Sequence, residues 1–301
     1  MISQEAKNIM AFMAQLKIPN IQDVPIELCR QGMAGMMAFS LPPLGCRLEN
    51  VDAGGVPALW IAAANADAEA KATVFYLHGG AYSMCSPQTH VGMTGLLSEL
   101  SGVKVLSVDY RLAPEHPYPA AIEDAVCAYQ WLLGQGVPGR SIVIGGDSAG
   151  GGLAFAALLE LRRLNIELPA AVFAISPWVD LAHTGETVKT KADVDPMFTE
   201  SGMDYMARLY ANGADLRSPL ISPLYADLRG LPPALIHVGT QEMLLSDARR
   251  MADALQKAGV DCTLREWEGL FHVFHSAVYL PEARVANEEI AAYITQHIRG
   301  N

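Results

Sequence analysis

From residue 73 onward, short β-rich runs alternate with helical patterns, and this alternation constrains the chain more than any other feature. Strand-like runs fall at 73–77, 103–108, 141–145, 170–176, 234–238 and 262–267. Helical periodicity falls at 88–100, 120–133, 149–164, 246–258 and 282–299. The strand runs are largely apolar rather than alternating, so both of their faces need cover. The pattern predicts an α/β protein with a mostly parallel central sheet flanked by helices. Two earlier runs, 46–51 and 56–62, flank Asp52-Ala53-Gly54-Gly55 and read as a hairpin.

Two segments break the alternation. In the first 45 or so residues, Ile2, Ala6, Ile9, Met13 and Leu16 step by three or four, which makes an amphipathic helix. A methionine-rich stretch follows at Met33, Met36 and Met37. Between 179 and 233 there is no strand run, only a helical stretch near 199–211. An excursion of that length inside an α/β domain is too long for plain loop. The two segments together read as a helical cap over the C-terminal edge of the sheet, where open α/β folds bind ligands.

Composition narrows the class without naming it. With 51% hydrophobic and 18% charged residues, the chain is globular rather than disordered. Its 21 Lys and Arg against 32 Asp and Glu leave a net charge of −11, which excludes a nucleic-acid or anionic-membrane partner. No apolar run reaches membrane-span length. Five cysteines (Cys29, Cys46, Cys85, Cys127 and Cys262) form neither a disulfide framework nor a zinc motif. The N-terminus lacks the basic start and apolar block of a signal peptide, so a cytoplasmic location is expected.

The chemistry is concentrated in three places. Gly146-Asp147-Ser148-Ala149-Gly150 follows the run 141–145 and opens a helix, which is G-x-S-x-G in a strand–turn–helix context. A nucleophile on so sharp a turn leaves no room for side chains two residues to either side, and both positions are glycine. His78-Gly79-Gly80-Ala81-Tyr82 follows the run 73–77 and can present backbone N–H groups to an oxyanion, together with the N–H of Ala149. His78 itself reads as structural. Late in the chain, Gly269-Leu270-Phe271-His272-Val273-Phe274-His275 places two histidines in the loop after the final strand run. His272, at the passage from loop to helix, is the expected base, and His275 an ordinary packed residue.

The acid that would orient this base is less determined. Glu242 sits in the loop after the run 234–238 and is favoured. Asp247 is the alternative, although an acid at the start of a helix usually serves the helix N-terminus. The H-x-x-H spacing has no carboxylate or cysteine cluster beside it, so no metal is expected.

Together these residues resemble the hormone-sensitive-lipase-like family of bacterial esterases in the α/β-hydrolase fold. The likeness runs from about residue 70 to the end. It includes the block Asp109-Tyr110-Arg111-Leu112-Ala113-Pro114-Glu115-His116-Pro117-Tyr118-Pro119-Ala120, as well as Ser176-Pro177-Trp178-Val179-Asp180 and Gly230-Leu231-Pro232-Pro233-Ala234. It implies a catalytic α/β-hydrolase domain at 46–301, with cap segments at 1–45 and about 181–217. It further implies Ser148 as nucleophile, His272 as base and a carboxylate in the loop after Val238 as third member. Gly80, Ala81 and Ala149 would be oxyanion donors, with Gly79 shaping their turn.

The family's fourth HGGG position is Ala81 here, its D-P-L pattern reads Glu242-Met243-Leu244, and its cap Asp-Pro reads Ser218-Pro219. Tyr82, Trp178, Met33, Met36 and Met37 are candidates for the substrate pocket. Asp109, Arg111 and Glu115 are expected to form a buried ion-pair network under the site.

The implied activity is hydrolysis of short- to medium-chain esters of small molecules, without metal or organic cofactor. The resemblance also implies a homodimer paired through the sheet edge near 262–267, an edge that needs covering in any case. The same machinery would serve amide, lactone or acetylated-sugar hydrolysis. A non-catalytic binding protein, as in the plant gibberellin receptors that resemble this family but lack the histidine, is the contrasting class.

Overall fold

The structure is a computed structural model and describes residues 2–16, 20–67 and 71–299. Among these, eight strands form one sheet in the order β1-β2-β4-β3-β5-β6-β7-β8. Strands β1 (Arg47–Asp52) and β2 (Pro57–Ala62) are the hairpin, and β2 runs antiparallel to β4 (Lys104–Val108). Strands β3 (Thr73–Leu77), β5 (Ile142–Asp147), β6 (Ala171–Ile175), β7 (Ala234–Gly239) and β8 (Cys262–Trp267) continue the sheet in parallel with β4.

Every residue of β3, β5, β6 and β7 is buried, as strands covered on both faces require. Their side chains alternate between two cores. Phe75, Leu77, Ile142 and Ile144 enter one, while Val74, Tyr76 and Val143 enter the other. Helices α4 (Ala120–Gly134), α5 (Ala149–Arg163) and α8 (Leu245–Lys257) cover the first face. Helices α3 (Val91–Ser101) and α9 (Pro281–Arg299) cover the second. The expected helix at 88–100 begins as a single 3-10 turn, Pro87–His90, and α3 ends at Gly102, whose φ of 68° stops it.

The two segments outside the alternation are helical. The first holds α1 (Gln4–Leu16) and α2 (Ile26–Met37), and the insertion after β6 holds α6 (Thr187–Thr190) and α7 (Glu200–Ala211). Thr199 caps α7 by accepting from Gly202 N at 3.1 Å, and Asn212 closes it in a left-handed conformation. The one-turn α6 escaped the sequence reading, being too short to show a period.

The two segments meet where Ile21 packs beside Gly202 of α7. Helix α1 goes elsewhere. Ala6 and Met13 are buried with Leu270, Phe271 and Phe274, while Leu16, expected on the same stripe, is 47% exposed. Strand β8 lies at the sheet edge, and only Cys262 on it is fully buried.

Candidate active site

Ser148 sits between β5 and α5 with φ 52° and ψ −122°, a conformation that costs on the order of 1–3 kcal/mol for a residue with a Cβ. The turn is held from both sides. Ser148 N donates to Ile175 O at 2.8 Å, and Ser148 O accepts from Trp178 N at 2.9 Å and from Gly152 N at 3.1 Å. A Cβ on Gly150 would fall on Leu77 O, and one on Gly146 would strike Gly150 O. Close backbone approach therefore requires both glycines. Ser148 stands at the N-terminus of α5, where backbone N–H groups favour developing negative charge.

The turn after β3 faces this elbow. Gly80, Ala81 and Tyr82 all have positive φ, at 108°, 52° and 57°. A Cβ on Gly80 would collide with Met84 O, so the turn needs glycine there. Gly79 N is already used, donating to Asp147 Oδ1 at 3.0 Å. Among the described residues nothing accepts from the N–H of Gly80 or Ala81.

Asp147 is the tether between elbow and turn, since Tyr76 Oη also donates to it at 2.6 Å and His90 Nε2 lies 3.3 Å away. Burial opposes charge on both members of this pair. Their mutual attraction nevertheless leaves Asp147 below its usual range and His90 above its own. His78 is fully buried, stacked on Tyr110, with Nδ1 2.7 Å from Gly79 O. Burial holds it neutral, with a pKa of about 3.

His272 and Glu242 come together from adjacent loops. Three hydrogen bonds join the loops: Thr240 N to Trp267 O at 3.1 Å, Gln241 N to Leu270 O at 2.9 Å, and Gly269 N to Thr240 Oγ1 at 2.8 Å. His272 Nδ1 donates to Glu242 Oε2 at 2.6 Å. The other carboxylate oxygen accepts from Gly239 N at 2.7 Å and Ser176 Oγ at 2.8 Å. The extra methylene of Glu relative to Asp is thus anchored in a fixed direction. Burial pulls the His272 pKa down, but the charge and hydrogen bond of Glu242, with Asp195 and Asp147 nearby, carry it above the ordinary value.

Asp247 has different partners. Its Oδ2 accepts from Val179 N at 3.2 Å and Asp180 N at 3.0 Å, and Arg250 bridges it to Asp180. It holds the chain after Trp178, and α8 has no side-chain cap. Burial and the neighbouring Asp180 raise its pKa to about 7.

The candidate pocket residues divide. Tyr82 is buried and stacks on Tyr210 at 3.8 Å. Trp178 is buried and donates Nε1 to His183 Nε2 at 3.2 Å. Met33 packs against the core that contains both, Met37 is half-buried, and Met36 lies at the surface.

The expected network of Asp109, Arg111 and Glu115 does not form as one unit. Arg111 pairs with Asp124 and Glu123 on α4, and Glu115 pairs with Arg30 of α2 at 2.7 Å. Arg111 and Glu115 are 43% and 46% exposed, so neither belongs to a buried network.

Sequence reasoning missed Asp195 and Phe198. The Phe198 ring meets the His272 ring edge to face at 4.7 Å, and Asp195 is buried beneath it. The available signal was the Asp195-Pro196 turn in the insertion, whereas Ser218-Pro219 lies in a separate turn.

The family model for the alpha/beta hydrolase fold matches residues 74–276. The chain is 44% identical over 245 residues to an acetyl-hydrolase of Streptomyces hygroscopicus, covering 81% of each. It is 35% identical over 233 residues to an esterase of Acinetobacter venetianus, covering 76% of this chain and 77% of that one. Among solved structures, an esterase from the bacterial hormone-sensitive lipase family superposes with a TM-score of 0.94 at 39% identity, covering 99% of both chains. The crystal structure of EstE5 soaked with p-nitrophenyl butyrate gives a TM-score of 0.94 at 38% identity, again with 99% coverage of both. The chain belongs to the α/β-hydrolase family, as a hormone-sensitive-lipase-like bacterial carboxylesterase, and is a carboxylic ester hydrolase. Among the described residues no helix is long and apolar enough to cross a membrane.

Proposed function

We propose that this protein hydrolyses short- to medium-chain acyl esters of small molecules through a Ser148–His272–Glu242 triad. Ser148 Oγ attacks the ester carbonyl while His272 Nε2 takes its proton. Glu242 holds the ring in the tautomer with Nδ1 protonated and stabilises the imidazolium. The N–H groups of Gly80, Ala81 and Ala149 receive the oxyanion, each worth about 3 kcal/mol of barrier. His272 then protonates the leaving alcohol, and water repeats the sequence on the acyl-enzyme.

The observation that carries this reading is the 2.6 Å bond from His272 to Glu242, together with a strained serine at a helix N-terminus. The acetyl-hydrolase relative and the neighbour soaked with a butyrate ester favour small acyl groups. The helical segments around 1–45 and 181–217 act as the cap, and the open edge of β8 pairs two copies into a dimer. Five free thiols suit a reducing, cytoplasmic setting.

The test is Ser148→Ala on p-nitrophenyl esters graded by acyl length. Loss of all turnover above background, with wild-type rates falling beyond medium chains, is expected. Wild-type turnover in Ser148→Ala would overturn the assignment. The acetyl-hydrolase relative also keeps a deacetylase reading open, so acetylated sugars, lactones and amides belong in the same panel.

A further inference from the structure

We propose that Asp195 is a positioning residue that couples the insertion between β6 and β7 to the catalytic base. This inference rests on His272 acting as that base. The Asp195 carboxylate is 1% exposed and bridges two elements with its two oxygens. Oδ1 accepts from Met197 N at 2.8 Å and Phe198 N at 3.0 Å, which closes the turn that sets the Phe198 ring against His272. Oδ2 accepts from Met243 N at 2.8 Å, the peptide immediately after Glu242.

One buried carboxylate therefore fixes the ring that packs on the base and the backbone beside the acid that orients it. Its charge also lies close enough to favour the protonated form of His272. The ionisable groups facing His272 are Glu242 after β7, Asp147 at the end of β5 and Asp195 from the insertion. Glu242 is held by Gly239 and Ser176, and Asp147 by Gly79 and Tyr76, none of them within 181–217. Asp195 alone of the three ties the histidine to the insertion, so movement of that segment reaches the triad through it.

The arrangement needs an acceptor at both oxygens. In Asp195→Asn the amide can still accept from the Phe198 turn, but it then sets its own N–H against Met243 N. The expected result is about a hundredfold lower kcat, as for a small displacement of catalytic groups, with KM for a short ester changed only a few-fold. The acid limb of kcat/KM should move to lower pH, because a negative charge that favours the imidazolium is gone. Asp195→Ser, whose hydroxyl can still accept from the turn, is the companion variant and should shift the limb in the same direction. A fluorophosphonate probe on the wild type reports separately on Ser148. Labelling there together with a wild-type acid limb and kcat in both Asp195 variants would overturn the coupling and leave the triad standing. No labelling of the wild type would fail the triad itself.

Discussion

His272 and His275 lie three residues apart in one loop, both almost wholly buried, yet their surroundings push them in opposite directions. His272 has a carboxylate at 2.6 Å and is driven above its ordinary pKa. His275 has another histidine: its Nε2 lies 3.1 Å from His237 Nδ1, which also accepts from Trp267 Nε1 at 3.2 Å. With two N–H groups aimed at one lone pair, His237 must remain unprotonated on that nitrogen. Burial holds His237 at about 3 and His275 well below its ordinary value. The difference teaches that burial alone does not set the direction here. A carboxylate at hydrogen-bond distance carries the His272 ring above its ordinary pKa, and without one the same burial holds His275 well below.

The most severe way to break this contrast is to remove each ring in turn. His272→Asn should lower kcat on a short ester by on the order of 10⁶-fold, the scale of losing a triad base. His275→Asn should leave kcat within a few-fold and instead lower Tm, at a cost of about 1–3 kcal/mol for disturbing a buried polar pair. Similar kcat losses in both would show that the distinction between the histidines is false.

The carboxylates sharpen the same contrast at a smaller scale. Glu242→Gln keeps the shape but not the charge, and kcat should drop by about 10³- to 10⁴-fold. In Asp247→Asn turnover should stay near wild type, since a carboxyl group with a pKa near 7 is already partly protonated at neutral pH. Steady-state kinetics of the pair decides between the two acids.

The smallest effect is on stability, and its sign differs between the two sites. Because folding raises the His272 pKa, its contribution is complete below about 6.5, the unfolded value, and disappears as pH rises through the folded one. Folding lowers that of His237, so its contribution is complete above 6.5 and erodes as pH falls from 6.5 toward 3. Each proton taken up only by the unfolded chain costs about 1.4 kcal/mol per pH unit. Thermal melts of His237→Gln against wild type should diverge least at pH 5 and most above pH 7. A constant offset across that range would show that His237 takes up its proton in the folded state.

The sheet was legible because fully buried strands and their helices leave strong periods, and the sharp turn at Ser148 because Gly146 and Gly150 sit where only glycine fits. Chain order could not separate Glu242 from Asp247. That choice depends on which side chain turns toward His272, a property of tertiary packing. Asp195 was hidden for a similar reason. It lies in a segment without periodicity, and its function comes from three backbone N–H groups, one of them 48 residues away. The charged run at Asp109, Arg111 and Glu115 misled in the opposite sense, since closeness in sequence on an extended loop says little about which partner each charge meets.

The packing of α1 carries a consequence for how the molecule is made. Among the described residues its apolar stripe clusters with Leu270, Phe271, Phe274, Leu280 and the start of α9, and Ser3 donates to Glu282 across 279 residues. On the ribosome, α1 is made long before the loop and the helix that cover it. Until then its stripe is open to other partners, and the loop that carries His272 has no floor. The loop that carries His272 thus gains its support from α1 only after the central strands have been made.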